Sequence, residues 1–266
     1  MRITAVFLVV FIVLLGTSCG KFRKIEKNPD WRVKYEASMN YFAKKDYYRA
    51  SVLLEQIMPV IRGLPEAEKG QFTLAYCQYY QKLYLLAGEQ FKTYYETYGR
   101  SSSSEEARYM YAYSLYKSSP DSNLDQTESV QAMASMQEFL NRYPNSRFRD
   151  QALEVIYTVQ ARLEEKGFAN ARQYYKMRNY KSAIVALGNF INNFPDSRYV
   201  EEAHFLIVAS HYKLAEMSII TKQKERYQGV VDDYIEFLDR YPNSTYLKEA
   251  ERYYVDSLDK LEKLKS

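Results

Sequence analysis

The sequence predicts an all-α fold built from repeated pairs of helices. Glycine and proline occur only 9 and 7 times among 266 residues, whereas an all-β fold needs many more turn residues. Hydrophobic residues make up 47% of the chain and charged residues 26%, a composition that can build a core. A short motif of an aromatic residue followed by proline also recurs along the chain. Together these observations indicate long helices that end at a repeated position.

The recurring motif reads aromatic-Pro-Asx-Ser, and it occurs at Tyr143–Ser146, Phe194–Ser197 and Tyr241–Ser244. An aromatic residue stands five positions before each proline, and an alanine stands eight positions after it. These residues are Phe139, Phe190 and Phe237, and Ala152, Ala203 and Ala250. A further copy is centred on Gly99 and a weaker copy on Arg62. Several copies in one register indicate a repeated packing unit.

Each position of the motif has a physical role in a helical repeat. The two aromatic residues are four apart, so they share one face of a helix. Proline cannot continue that helix, and the Asx-Ser pair can cap the next one. Small residues belong where two helices approach closely, which places Ala152, Ala183 and Ala203 at helix–helix contacts. Glu201 is expected in an exposed first helical turn, where its charge favours the helix dipole.

The motif resembles a tetratricopeptide (TPR) repeat, which predicts a TPR-like superhelical array of about five helix pairs. The units are longer than the usual ~34 residues, partly because of the insertion Lys117–Leu124. We expect an N-terminal array over residues 31–145 and a C-terminal array over residues 146–266. The span Arg147–Arg178 has no proline and a single glycine, and it reads as one long helix joining the two arrays. Arrays of this kind form a groove that binds other proteins.

The N-terminus has the pattern of a lipoprotein signal peptide over residues 1–18. A positive start is followed by the apolar run Ile3–Leu15, which is shorter than the roughly 20 residues needed to span a bilayer. The run ends in small residues before Cys19, as in a bacterial lipobox, although Gly16 stands where leucine is usual. This resemblance implies a lipid on Cys19 and a tether over residues 19–30. An ordinary signal peptide followed by an incidental cysteine is the alternative.

No pattern in the sequence indicates catalysis, a cofactor or a metal. Gly-rich phosphate loops, the GxSxG motif and the HExxH motif are all absent. His204 and His211 stand two helical turns apart, roughly 10 Å along a helix, which is too far for both to bind one metal ion. Cys77 lies within a helical pattern and reads as a small buried residue. The net charge is +4 and the chain has no basic stripe, so nucleic acid is not an expected partner. Because the catalytic motifs are missing, we do not expect the protein to be an enzyme.

Tyrosine is unusually frequent, with 28 copies in the chain. Its side chain combines rigid contact area with a polar tip, which suits a protein-binding groove. Tyr41, Tyr79 and Tyr80 fall on helices of the first half, and they are the candidate partner-binding residues. The alternative interpretation is that these side chains belong to the core.

With the lipobox and the repeats together, the chain resembles the BamD (YfiO) lipoprotein family from about Cys19 to Leu258. The stretches that carry the resemblance best are Met136–Ser146 and Tyr174–Ala183. The resemblance implies a place in the machinery that assembles β-barrels in the outer membrane. It implies that the C-terminal repeats bind the core barrel subunit, that the N-terminal repeats bind unfolded outer-membrane protein segments, and that other lipoproteins of the complex are partners.

Two alternative functions remain open on the residues alone. One is a TPR lipoprotein scaffold for another envelope complex, such as a cell-wall or division complex. The other is a glycan-binding lipoprotein, which would place exposed aromatic rings against sugars. The residue after Cys19 is Gly20 rather than an aspartate that retains lipoproteins at the inner membrane. We therefore expect an outer-membrane anchor that faces the periplasm.

Overall fold

The computed structural model describes residues 20–264, and these residues form helices and turns without any β-strand. A short helical segment covers residues 20–26. The helices that follow it in the described chain are α1 (Trp31–Ala43), α2 (Tyr47–Ile61), α3 (Pro65–Tyr80), α4 (Tyr84–Thr97), α5 (Ser104–Ser118), α6 (Thr127–Arg142), α7 (Arg149–Lys176), α8 (Tyr180–Asn193), α9 (Val200–Glu216), α10 (Ile220–Arg240) and α11 (Leu247–Lys263). The predicted all-α, TPR-like architecture is confirmed. The predicted signal peptide and the candidate lipidation site Cys19 lie outside the described residues.

The helices form two compact units, and within each unit a helix packs mainly against its neighbours in sequence. Unit 1 runs to Pro120 and also contains Asp125–Val159. Unit 2 contains Asp121–Leu124 and the chain from Gln160 onward. None of the helices in the described part of the chain is both long and apolar enough to cross a membrane.

The two aromatic residues of each motif copy do lie on one helix face. Their ring centroids are 5.5 Å apart in Phe139–Tyr143, Phe190–Phe194 and Phe237–Tyr241. In each pair the second aromatic residue directly follows the end of its helix, as expected before a proline. The alanines eight positions after each proline, Ala152, Ala203 and Ala250, are fully buried, and so are Ala132 and Ala183, which stand twelve positions before a proline. The register read from the sequence therefore places these residues correctly.

Helix α7 is a single helix of 28 residues, and it covers most of the span expected to be one long helix. Gly167 explains how a neighbouring helix approaches α7 closely inside unit 2. A Cβ at this position would stand 3.2 Å from a ring carbon of Phe194 and 3.3 Å from one of Phe190. Contacts that short are unfavourable, so the missing side chain leaves room for these two rings.

Three helices, α1, α3 and α7, end in the same kind of turn, which we call the basic turn. At its centre Lys45, Lys82 or Arg178 adopts a left-handed conformation, with φ of 60°, 63° and 60°. In each turn the next amide donates a hydrogen bond back to a carbonyl five residues earlier, from Asp46 to Tyr41, Leu83 to Gln78 and Asn179 to Tyr174. This is the Schellman arrangement, which satisfies free carbonyls at a helix end and usually uses glycine. The basic turns therefore carry a lysine or arginine where glycine would be less strained.

Candidate partner-binding surface

The serine of the motif joins consecutive repeats through a hydrogen bond to a glutamate. Ser146 Oγ accepts from the amide of Phe148 at 3.0 Å and donates to Glu105 Oε1 at 2.5 Å. Ser244 Oγ accepts from the amide of Tyr246 at 3.1 Å and donates to Glu201 Oε1 at 2.6 Å. The sequence predicted that the Asx-Ser pair caps the next helix, but the serine instead bonds the amide just before that helix, and α9 and α11 have no side-chain cap. The glutamate was not predicted.

The glutamate acceptors correct the expectation for Glu201. Its side chain is half-buried in the first turn of α9 and accepts the hydrogen bond from Ser244. The expectation that Glu201 is simply exposed was wrong. The position of a residue within its own helix does not reveal which side chain of the following repeat covers it. Ser101 and Glu68 make the same bond at 2.6 Å in the copy centred on Gly99.

A stacked pair of aromatic rings accompanies each of the three proline-containing copies of the motif. The centroid distances are 4.5, 4.8 and 4.7 Å, with interplanar angles of 6°, 9° and 13°, for Tyr109–Phe148, Phe168–Tyr199 and Phe205–Tyr246. One ring lies four residues after the motif proline and the other lies on an earlier helix of the same unit. Aromatic residues at this offset were visible in the sequence, and they are the signal that could have revealed the stacks.

Tyr79 and Tyr80 belong to a cluster of tyrosine rings in unit 1. Tyr79 contacts Tyr80, Tyr84 and Tyr113 at centroid distances of 5.7, 5.5 and 6.3 Å. Tyr80 stacks on Tyr47 at 4.5 Å and on Tyr76 at 5.8 Å. We call these six residues, Tyr47, Tyr76, Tyr79, Tyr80, Tyr84 and Tyr113, the tyrosine cluster.

The tyrosine cluster is partly exposed. Tyr80 is 48% exposed, whereas Tyr79 is half-buried. Burial raises the pKa of the Tyr79 phenol to about 12, and the neighbouring phenols of Tyr113, Tyr84 and Tyr80 add to the rise. Tyr79 therefore offers a neutral hydroxyl group, and Tyr80 offers an exposed aromatic face, to a partner.

A carboxylate and an arginine border the tyrosine cluster. The Tyr76 hydroxyl donates to Glu106, and Arg147 donates to the same carboxylate at 2.5 Å. Burial, followed by the hydrogen bond to Glu106, holds the pKa of Tyr76 well above its usual value. Glu106 thus receives two donors, which orients the Tyr76 ring beside Tyr80.

Tyr41 lies in a different environment from the other two candidate residues. Its ring is half-buried and packs against the core formed by α1, α2 and α3. Phe22 meets it edge-on at a centroid distance of 5.8 Å, and the Arg49 guanidinium stands 5.8 Å from its ring. The structure thus brings Tyr79 and Tyr80 together and places Tyr41 against the segment that follows Cys19.

The remaining candidate residues for chemistry have structural surroundings. Cys77 is fully buried, and burial raises the pKa of its thiol to about 12, with the Glu55 carboxylate as a second cause. The thiol therefore stays protonated and unreactive. His211 Nδ1 contacts the Asp233 carboxylate, whereas burial lowers the pKa of His204. Between residues 20 and 264 there is no group of three or more His, Cys, Asp or Glu side chains that could hold a metal ion.

The repeated helix pairs, their aromatic joins and their basic turns define a TPR-like helical repeat protein. A family model described as YfiO, outer membrane lipoprotein, matches residues 29–178 and 167–263, and the chain belongs to this family. The two matched segments overlap in the second half of α7. The family resemblance read from the sequence is confirmed.

The chain is also similar to the outer membrane protein assembly factor BamD of Helicobacter pylori (strain ATCC 700392 / 26695). The two sequences are 28% identical over 153 residues, which cover 55% of this chain and 67% of that protein.

Proposed function

We propose that this chain is a periplasm-facing lipoprotein of the β-barrel assembly machinery, held in the outer membrane by a lipid on Cys19. Membership of a family of outer membrane lipoproteins supports the location. Similarity to an outer membrane protein assembly factor supports the role. In this proposal unit 1 receives unfolded segments of β-barrel proteins, and unit 2 binds the core barrel subunit.

The tyrosine cluster is the observation that carries the proposal for unit 1. Strands of membrane β-barrels alternate outward apolar and aromatic side chains with inward polar ones. An extended segment of this kind can place alternate rings on Tyr79 and Tyr80 and bond the phenol hydroxyls through its backbone. Rigid tyrosines suit this task because ordering them on binding costs little side-chain entropy.

An exposed apolar turn supports the proposal for unit 2. Met217 and Ile219 lie between α9 and α10, Ile220 is the first residue of α10, and the three side chains are 69%, 72% and 73% exposed. Hydrogen bonds hold the turn in one conformation, because Gln223 donates to the Ser218 carbonyl at 3.1 Å and Arg226 donates to the Ser218 hydroxyl. A preorganised apolar projection of this kind suits a pocket on a folded partner.

The proposal is tested with two variants of the full-length lipidated protein, one altered in unit 1 and one in unit 2, each assayed for binding of both partners. Tyr80→Ala should weaken binding of a peptide from the C-terminal strand of a β-barrel protein, and it should leave co-purification of the core subunit unchanged. Ile219→Asp with Ile220→Asp should do the reverse. Val185→Ala, an exposed residue of α8, is the matched control and should affect neither.

Each outcome separates the proposed function from its rival. If each variant loses the partner assigned to the other unit, the assignment of the two units is reversed. If the wild-type protein binds neither the peptide nor the core subunit, the chain is a scaffold for another envelope complex, and the proteins that co-purify with it identify that complex.

A further inference from the structure

The described chain begins beside the end of α1. The Phe22 ring, in the helical segment 20–26, lies 5.8 Å from the ring of Tyr41 and 5.5 Å from the Arg49 guanidinium. Tyr41 is two residues from the end of α1 at Ala43. Gly20 precedes Phe22 by two residues, or about 3 Å along a helix. Residue 20, and with it the attachment point of the chain before it, therefore lies near the basic turn that ends α1.

The basic turns after α1 and α3 are neighbours in unit 1. Gln81, which follows α3, donates to the Tyr47 carbonyl at 3.3 Å and to the Ser51 hydroxyl at 3.2 Å, both at the start of α2. The surface formed by these turns exposes lysines together with apolar side chains. We call it the basic edge, and it consists of Lys44, Lys45, Tyr48, Lys82, Leu85 and Leu86.

The apolar residues of the basic edge point into solvent. Tyr48 is 65% exposed, and Leu85 and Leu86 are each 54% exposed. The nearby segment 20–26 adds three exposed basic residues, Lys21, Arg23 and Lys24. Lysine is depleted in the interfaces of stable protein complexes, and three apolar side chains provide a patch of only a few hundred Å². Apolar side chains among lysines are instead typical of surfaces that contact lipid head groups.

A positive charge just after a helix favours the helix dipole, but it does not require the strained backbone that two lysines of the basic edge adopt. Lys45 and Lys82 stand at φ of 60° and 63°, where glycine avoids the steric penalty of a side chain. The two lysine side chains thus project from tight turns at the ends of α1 and α3 into solvent.

We propose that the basic edge lies against the anionic lipid surface in which the chain is anchored. This inference rests on the proposed lipid on Cys19, since that residue immediately precedes Gly20 and would hold this side of unit 1 at the bilayer. Lysine ammonium groups then meet lipid phosphates, while Tyr48, Leu85 and Leu86 enter the head-group region. The contact orients unit 1 and brings the adjacent tyrosine cluster close to the membrane surface.

The test uses the mature chain carrying Cys19→Ser, which has no lipid, in flotation with vesicles. The unlipidated protein should float with vesicles that contain phosphatidylglycerol and stay behind with pure phosphatidylcholine vesicles. Lys44→Glu, Lys45→Glu and Lys82→Glu combined should reduce its affinity for anionic vesicles by at least ~10-fold. The control combines Lys181→Glu, Lys224→Glu and Lys248→Glu, three exposed lysines of unit 2 with the same change in charge.

Two further measurements exclude trivial results. A helical circular-dichroism spectrum must be retained by both triple variants, and Leu85→Asp with Leu86→Asp provides a second edge variant that keeps the lysines and should also bind less. If the two triple variants lose binding equally, net charge rather than the basic edge is responsible, and the proposal is overturned. It is also overturned if the Cys19→Ser protein with an unaltered basic edge does not float with anionic vesicles. A third contrary result would be edge variants that float normally but lose a co-purifying protein.

The lipid anchor is assayed separately, by mass spectrometry of the protein from membranes. An unmodified Cys19 there, combined with edge-dependent flotation of the soluble chain, would refute the anchor and leave the lipid-binding edge standing.

Discussion

Ser244 Oγ donates a 2.6 Å hydrogen bond to Glu201 Oε1, a residue 43 positions earlier in the chain. The same serine accepts a hydrogen bond from the amide of Tyr246, at the start of α11. One hydroxyl thus connects the end of one repeat, the beginning of the next helix and the first turn of α9. The bond recurs between Ser146 and Glu105 in unit 1, so two of the three proline-containing copies of the motif share it.

The first prediction concerns this hydrogen bond. Ser244→Ala should lower the free energy of unfolding by about 1–2 kcal/mol, because it removes both a bond to the Tyr246 amide in the turn before α11 and a bond to a charged acceptor. Ser197→Ala should cost less, since Ser197 Oγ accepts from the Tyr199 amide at a longer 3.4 Å and, among residues 20–264, donates no hydrogen bond to a glutamate. Urea denaturation followed by circular dichroism measures both, and equal losses would remove the glutamate from the explanation.

The second prediction concerns the close contact at Ala183. The side chain is fully buried in the core of unit 2, so Ala183→Leu should overpack the contact and cost about 1–3 kcal/mol. Val185→Leu, on the exposed face of the same helix, should change stability by less than about 0.5 kcal/mol. Thermal melts of the two variants give the comparison, and a larger loss at residue 185 would contradict the repeat register.

The third prediction concerns the basic turns. Lys82→Gly should raise stability by roughly 1 kcal/mol, because glycine relieves the steric cost of the left-handed conformation at φ 63°. Lys92→Gly, inside α4, should have the opposite sign and cost about 1 kcal/mol. The midpoints of urea denaturation of the two variants, compared with that of the wild-type protein, measure both changes. A loss at residue 82 would show that its side chain stabilises the isolated protein, which the proposed role at a lipid surface does not require.

The fourth prediction concerns alkaline pH. The pKa of Tyr79 is raised from 10.0 to about 12 in the folded protein, so folding favours the neutral phenol. Its contribution to stability is fully present below pH 10 and is lost as the pH rises from 10 through 12. Stability measured by urea denaturation should therefore fall across this window, and less steeply in Tyr79→Phe. Phenolate absorbance should appear later in the folded protein than in the unfolded chain, and coincident titrations would contradict the buried environment.

Much of the fold follows from local physics that the sequence determines by itself. Proline at positions 144, 195 and 242 disfavours a helical residue before it, and each preceding helix ends there. Aromatic residues four apart share a helix face. Phe139 and Phe190 are therefore buried where the motif predicts them, and the motif alanines lie at close contacts. The family could also be read from the sequence, because the repeated spacing and the lipobox are linear patterns.

Only the tertiary structure decided which residues from different repeats meet. Glu201 could not be paired with Ser244 from the sequence, because the bond depends on how helices far apart in sequence cross each other. Tyr79 and Tyr80 joined one cluster while Tyr41 packed beside Phe22, although all three looked equivalent along the chain. Helical periodicity determines the face on which a side chain lies, whereas the packing of neighbouring helices determines whether that face is covered, and by what.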